Sequence, residues 1–201
     1  MSVAGEPPNG YTEYVEYIVP EQRIVLLVVA LTIGLGEAFF PGVIVWFYNI
    51  VSQSLSNLVI VSFEEILFIG VMTLVHESIH YLVARSQGYN PQAGIRFYDS
   101  FFGIKEPSPY IVVLNERISR NNNIAMLIAP LLVIDAIALA GLLPLFPAYI
   151  TFFAKIALVV NTASSMQDVY NVFRLLKMDE KTQFINIIEE DVRTFYCKPQ
   201  Q

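Results

Sequence analysis

The run Ile66-Leu-Phe-Ile-Gly70-Val-Met-Thr-Leu-Val75-His76-Glu77-Ser78-Ile79-His80-Tyr-Leu-Val-Ala84 is apolar except for one polar cluster, and that cluster is a His-Glu-x-x-His motif. Its length approaches the roughly 20 residues a helix needs to cross a bilayer. On a helix at about 100° per residue, positions four apart lie one turn above each other, so His76 and His80 can grip one metal ion. Glu77 flanks the same face, where a carboxylate can take a proton from a zinc-activated water and later hand it to the leaving amine. The alternative is a pair of packed, hydrogen-bonded core histidines. Two arguments oppose it: a fully charged group costs roughly 2.5–3.5 kcal/mol at the centre of a membrane helix, so polar residues there are functional by default. In addition, the two histidines of this motif are the whole histidine content of the chain.

Outward from this run, composition bounds the class. The 201 residues are 55% hydrophobic and only 15% charged, with a mean hydropathy of +0.53, against about 25% charged residues in a soluble domain. This predicts an integral membrane protein in contact with the lipid bilayer. The net charge of −6 comes without any basic stripe, so nucleic acid is not an expected partner. Cys197 is the single cysteine and can neither form an internal disulfide nor build a thiolate zinc site. The remaining zinc ligands are therefore expected among carboxylates. The first 21 residues carry Glu6, Glu13, Glu16 and Glu21 with no Lys or Arg, which argues against a cleavable signal.

Four stretches are apolar enough to predict spans: Ile24–Ile50, Ile66–Ala84, Ile124–Leu145 and Ala148–Phe173. Basic residues cluster before the first (Arg23), between the second and third (Arg85, Arg96, Lys105, Arg117, Arg120) and after the fourth (Arg174, Lys177, Lys181, Arg193, Lys198). The positive-inside rule then places both termini and the long middle loop in the cytoplasm of a multi-pass protein of the cell membrane. At 1.5 Å per residue from Arg85, the histidines lie roughly 7–14 Å below the cytoplasmic boundary.

A third ligand is expected at the same depth. In the fourth span, Asn161, Ser165 and Asp168 are spaced to share one helical stripe, and Asp168 lies roughly 9 Å below the boundary, counted from Arg174. Two histidines and a carboxylate with one open position are the usual set for a catalytic zinc. Asn161 and Ser165 can support the site or polarise the scissile carbonyl, or they can be plain interhelical glue. Asp135 and Glu37 are rival acids that could reach the metal or pair with Lys155, but neither has a polar stripe around it.

The combination of His76-Glu77-x-x-His80, a hairpin-like insert, Arg117-Ile-Ser-Arg120 leading into Ala129-Pro130, and Asn161-x-x-x-Ser165-x-x-Asp168 resembles the putative zincin peptidase family of small prokaryotic membrane proteins, over roughly Phe63–Lys177. It is more distantly similar to the site-2 proteases, from whose motif it departs at Ser164, at Val169 and by one residue fewer before the Asp. The resemblance implies a peptidase.

The insert, residues 88–121, contains two Ile/Val/Phe/Tyr-rich segments, Gly94–Ile104 and Tyr110–Leu114, that read as a β-hairpin or re-entrant pair, and its edge could hold an extended peptide by strand addition. After the fourth span, Asp179 is positioned to cap an amphipathic helix with Phe184, Ile187, Ile188 and Val192 on its apolar face. Tyr11–Val19 alternates weakly, as a short strand would.

The expectation is therefore an all-α membrane protein of about four transmembrane helices with a small cytoplasmic hairpin. It divides into a tail (1–22), a transmembrane peptidase-like domain (23–177) and an amphipathic C-terminal tail (178–201). Zn2+ is held by His76, His80 and Asp168, Glu77 is the base, and the substrate is a membrane-embedded or juxtamembrane peptide. A zinc-binding adaptor or metal-handling protein and a helix-bundle transporter are the competing readings.

Overall fold

The computed structural model describes residues 5–45, 49, 55–99, 105–189 and 191–200. Its elements are β1 (Val15–Glu16), α1 (Glu21–Phe39), α2 (Leu55–Ser86), β2 (Pro91–Asp99), β3 (Lys105–Val113), β4 (Ile118–Ser119), α3 (Arg120–Gly141), α4 (Ala148–Ser164), α5 (Met166–Leu176), β5 (Gln183–Ile188) and β6 (Val192–Cys197). The all-α, four-span expectation is overturned, because the chain builds two β-sheets beside its helices. Among the described residues, only Leu67–Ser86 and Arg120–Gly141 are single helices long and apolar enough to cross a membrane; α4 and α5 make a third if that bent pair counts as one.

The chain divides into two compact units, with boundaries that cut through continuous helices. The first comprises Met1–Pro20, Glu77–Ala129 and Asp168–Gln201. It contains a four-stranded antiparallel sheet, in the order β1-β6-β5-β4, and the β2–β3 hairpin, which runs in register from Pro91↔Val113 to Asp99↔Lys105. Residues 100–104 of the expected hairpin lie outside the described residues.

The C-terminal segment is a strand pair where a helix was expected. A short apolar run cannot be assigned by periodicity alone. Here the β-branched and aromatic content of Gln183–Ile188 and Val192–Cys197, split by an acidic turn, favours a hairpin. Asp179 does accept a backbone N–H, from Lys181 at 2.8 Å, but this closes a turn leading into β5 and does not start a helix. Phe184 then enters a core with Ala84, Val113, Ile118, Met126 and Leu175. Ile185, Ile187 and Phe195 form a second cluster with Tyr14. The N-terminal strand is present and pairs with β6, Val15↔Tyr196 and Glu16↔Phe195, so the two tail segments are partners in one sheet.

Helix α2 ends in this unit with a Schellman cap. Gly88, at φ 89°, has its N–H on the Arg85 carbonyl, and the N–H of Tyr89 reaches back to the Ala84 carbonyl. Tyr89 packs on the Ala84 cluster, the apolar contact that usually accompanies such a cap.

The second unit comprises Glu21–His76 and Pro130–Gln167. The expected first span Ile24–Ile50 is broken: α1 stops at Phe39 and its apolar part, Ile24–Phe39, is shorter than a span. The chain then turns through Gly42 at φ 83°. Glu37 closes that turn by accepting the N–H groups of Gly42 and Ile44, each at 2.9 Å, so its charge is spent on local backbone donors. Residues 46–48 and 50 of that expected span lie outside the described residues. Phe152 packs edge-on against Phe40 and against Phe153, and Phe153 stacks with Phe68. The expected fourth span is also interrupted, bending by 48° between α4 and α5 at Ser165.

Candidate metal centre

In the first unit, His80 and Asp168 face each other. His80 Nε2 lies 3.4 Å from Asp168 Oδ2. A charge-assisted hydrogen bond would close to about 2.7–2.9 Å. Donors bonded to one tetrahedral zinc at about 2.0–2.2 Å sit about 3.3–3.6 Å apart, and the observed separation is that edge length. His80 Nδ1 is 2.8 Å from the carbonyl oxygen of Met126. A carbonyl can only accept, so Nδ1 carries a proton, and in the neutral ring Nε2 then holds the lone pair a metal requires.

The sequence explains why that carbonyl is available. Met126 lies four residues before Pro130, inside α3. Proline has no N–H, so Met126 loses its usual i+4 helical donor and its oxygen can take the imidazole instead. Asp168 is equally a product of a helix irregularity. Because the helix restarts after Ser165, Asp168 falls in the first turn of α5, where unpaired N–H groups and the helix dipole favour a carboxylate.

In the second unit, His76 Nδ1 is 3.1 Å from Asn161 Oδ1. The amide orientation follows from its other partners: Asn161 Nδ2 donates to Asp135 Oδ1 at 2.8 Å and, more weakly, to the Pro130 carbonyl at 3.4 Å, both acceptors. Oδ1 is then the atom on His76, which makes His76 Nδ1 the donor, as at His80. Asp135 is held in turn by Thr162, whose hydroxyl donates to Oδ2 at 2.8 Å.

Helix α2 runs unbroken through both histidines, so the helix itself fixes His76 one turn from His80. His80 and Asp168 thus offer one donor atom each at that spacing, and the helix that carries His80 also carries His76. The donor chemistry fits zinc: two neutral imidazoles with Nδ1 occupied and one carboxylate, in largely buried surroundings.

The other predicted residues fall as follows. Glu77 follows His76 on α2 and is half-buried. Asn161 is buried and bonded to His76, as above. Ser165 is fully buried at the α4–α5 break, where its N–H caps the Asn161 carbonyl and its hydroxyl has no protein partner among the described residues. Asn161, Ser165 and Asp168 thus do not ride one continuous helix. The rivals have other work: Asp135 bonds Asn161 and Thr162, Glu37 closes its turn, and Lys155 approaches the Phe39 carbonyl and the Phe40 ring. The roles of Met126, Pro130 and Thr162 went unread in the sequence; the i+4 relation of Met126 to a proline was the available signal.

The model of the family described as putative zincin peptidase matches residues 69–182, more than half of the chain. The chain belongs to that family. The matched region holds the His-Glu-x-x-His helix, the β2–β3 hairpin, Asn161 and Asp168, and it stops before β5 and β6. Membership supports a zinc-dependent metallopeptidase. No curated protein and no solved structure matches the chain.

Proposed function

We propose that the protein is an integral-membrane zinc metallopeptidase that hydrolyses peptide bonds of membrane-embedded or juxtamembrane substrates. The observation that carries this reading is the 3.4 Å pair of His80 Nε2 and Asp168 Oδ2, the edge length of a zinc tetrahedron, on a helix that also carries His76 and Glu77, in a chain of this family. Membrane residence is supported by helices that leave large apolar side chains uncovered, among them Leu67, Leu74 and Leu82 on α2 and Leu132, Ile137 and Leu139 on α3. Exposed apolar side chains in this number need a cover, and lipid supplies one. The distribution of basic residues supports cytoplasmic termini.

Zinc held by His76, His80 and Asp168 would supply a Lewis acid that acidifies water towards neutrality and polarises a carbonyl. Glu77 takes the proton of the attacking water as its oxygen bonds to the peptide carbonyl carbon. The same carboxyl then delivers that proton to the amide nitrogen as the C–N bond breaks, leaving a new carboxylic acid, which holds the second water proton until it ionises, and a free amine. Asp168 and the two imidazoles hold their positions through the reaction, and the buried Ser165 hydroxyl is a donor for the carbonyl oxygen as negative charge develops there.

The test compares wild type with Glu77→Gln in native membranes. Fragments of membrane proteins made by wild type are expected to vanish in the variant, while both proteins carry about one zinc and both remain in the membrane fraction after alkaline washing. Zinc retained with identical fragment patterns in both would defeat the peptidase reading.

A further inference from the structure

Asp135 lies in the middle of an apolar helix, and neither the family match nor the ligand set gives it a role. It is partly buried, and in the second unit both of its carboxylate oxygens accept: Oδ1 from Asn161 Nδ2 and Oδ2 from the Thr162 hydroxyl, each at 2.8 Å. The amide it holds is 1% exposed and presents its oxygen to His76 Nδ1. A buried Asn can sit either way round in its cavity. With a carboxylate on one side, only one orientation avoids setting the amide oxygen against another acceptor, and that orientation turns the oxygen towards His76.

We infer that Asp135 is a positioning residue for the metal site, acting through Asn161 to fix the tautomer and direction of the His76 ring. The geometry is a carboxylate–amide–imidazole chain, in which the negative end at Asp135 makes the Asn161 carbonyl oxygen a better acceptor. His76 Nδ1–H is thereby favoured and Nε2 becomes the more basic ligand. Outer partners of metal-bound histidines commonly act in this way, and losing one typically weakens metal affinity about 10–100-fold. Thr162 keeps the carboxylate in register, and the long bond from Asn161 to the Pro130 carbonyl is too weak to set the amide alone. This inference rests on the metallopeptidase reading for its purpose, but not for the hydrogen-bond chain itself.

The experiment uses the full-length protein in detergent with two readouts. Zinc affinity is measured by competition with a chelator, and the His76 tautomer is read in metal-free protein by long-range 15N–1H NMR of labelled imidazoles. Asp135→Leu removes both acceptors and is expected to weaken zinc binding by about tenfold or more and to shift His76 away from the Nδ1–H form. Asp135→Asn keeps the shape without the charge and is expected to fall between Leu and wild type, which preserves the test should the Leu variant fail to fold. In an Asn161→Leu background, either substitution at 135 should have no further effect on zinc affinity, because its route to the metal is already cut. Affinities within about twofold of wild type with an unshifted tautomer would overturn the inference, as would additive effects of the 135 and 161 substitutions. Should wild type bind no zinc, the metallopeptidase reading falls, while the tautomer shift still decides whether Asp135 sets His76.

Discussion

Each imidazole has its Nδ1 bonded to a protein oxygen, Met126 O for His80 and Asn161 Oδ1 for His76, so in each neutral ring Nε2 is left as the lone-pair donor. Asp168 differs in having only its carboxylate to offer, and its distance from His80 suits a shared metal better than a direct ion pair. Asp168→Ala should therefore lower zinc affinity by more than the roughly 10–100-fold of an outer-partner loss, with the helical far-UV signal unchanged. Chelator competition measures the first and circular dichroism the second; an affinity equal to wild type would remove Asp168 from the ligand set. The histidine pair and Glu77 are legible from spacing because that pattern is local along one unbroken helix, whereas the stripe that pointed to Asp168 is cut by the break at Ser165. The part played by Asp135 is not legible in this way, since it depends on which neighbour the residue meets across the fold, and from spacing alone it looked like a competing ligand.

Among the elements, α3 and the α4–α5 pair owe their contribution to interruptions. Pro130→Ala would restore an N–H opposite the Met126 carbonyl and complete the helix ladder, so helix stability should rise by up to about 3 kcal/mol. The same change introduces a competitor for the oxygen that holds His80, and zinc affinity should fall. Opposite signs in a thermal-unfolding assay and a zinc titration are the expected result, and an unchanged affinity would mean that Met126 holds His80 without help from the proline. Gly88 gives a simpler test of the α2 terminus. Its left-handed backbone has open space where a Cβ would go, so Gly88→Ala should cost about 1–2 kcal/mol through backbone strain alone. Equilibrium denaturation measures this, with the metal site left intact.

At the scale of the whole molecule, the N-terminal strand is tied to the C-terminal hairpin by Arg193, which donates to both carboxylate oxygens of Glu16 at 2.6 and 2.7 Å. The hydrogen bonds from Arg193 hold the Glu16 carboxyl below its usual value, and those from Glu16 and Glu189 raise the guanidinium, which stays charged throughout. A carboxyl with a lowered folded pKa adds stability above its unfolded value, and that stability is lost as the pH falls through the folded one. Amide exchange of the Tyr17 N–H, which bonds the Thr194 carbonyl beside this pair, should therefore accelerate as the solution is acidified below the ordinary glutamate range. Glu16→Gln should already exchange faster at neutral pH and lose that acid step. An acid step that persists in Glu16→Gln would assign it to another carboxyl.

The sequence by itself determined the motif of period four, with its two imidazoles and the carboxylate of Glu77 beside them, and an apolar composition. These are one-dimensional patterns whose physics is set by helix pitch and by hydropathy. Tertiary structure completed the choice of strands for Gln183–Ile188 and Val192–Cys197, since periodicity of a short run of Ile, Phe and Val leaves helix and strand open until partners such as β1 and β4 supply hydrogen bonds. It also decided that two of the four expected spans would be interrupted and that Asp135 would hold an amide in place of a metal. Through-space polar partners such as Asp135 and Asn161 depend on neighbours distant in the chain, which helix pitch and hydropathy do not encode.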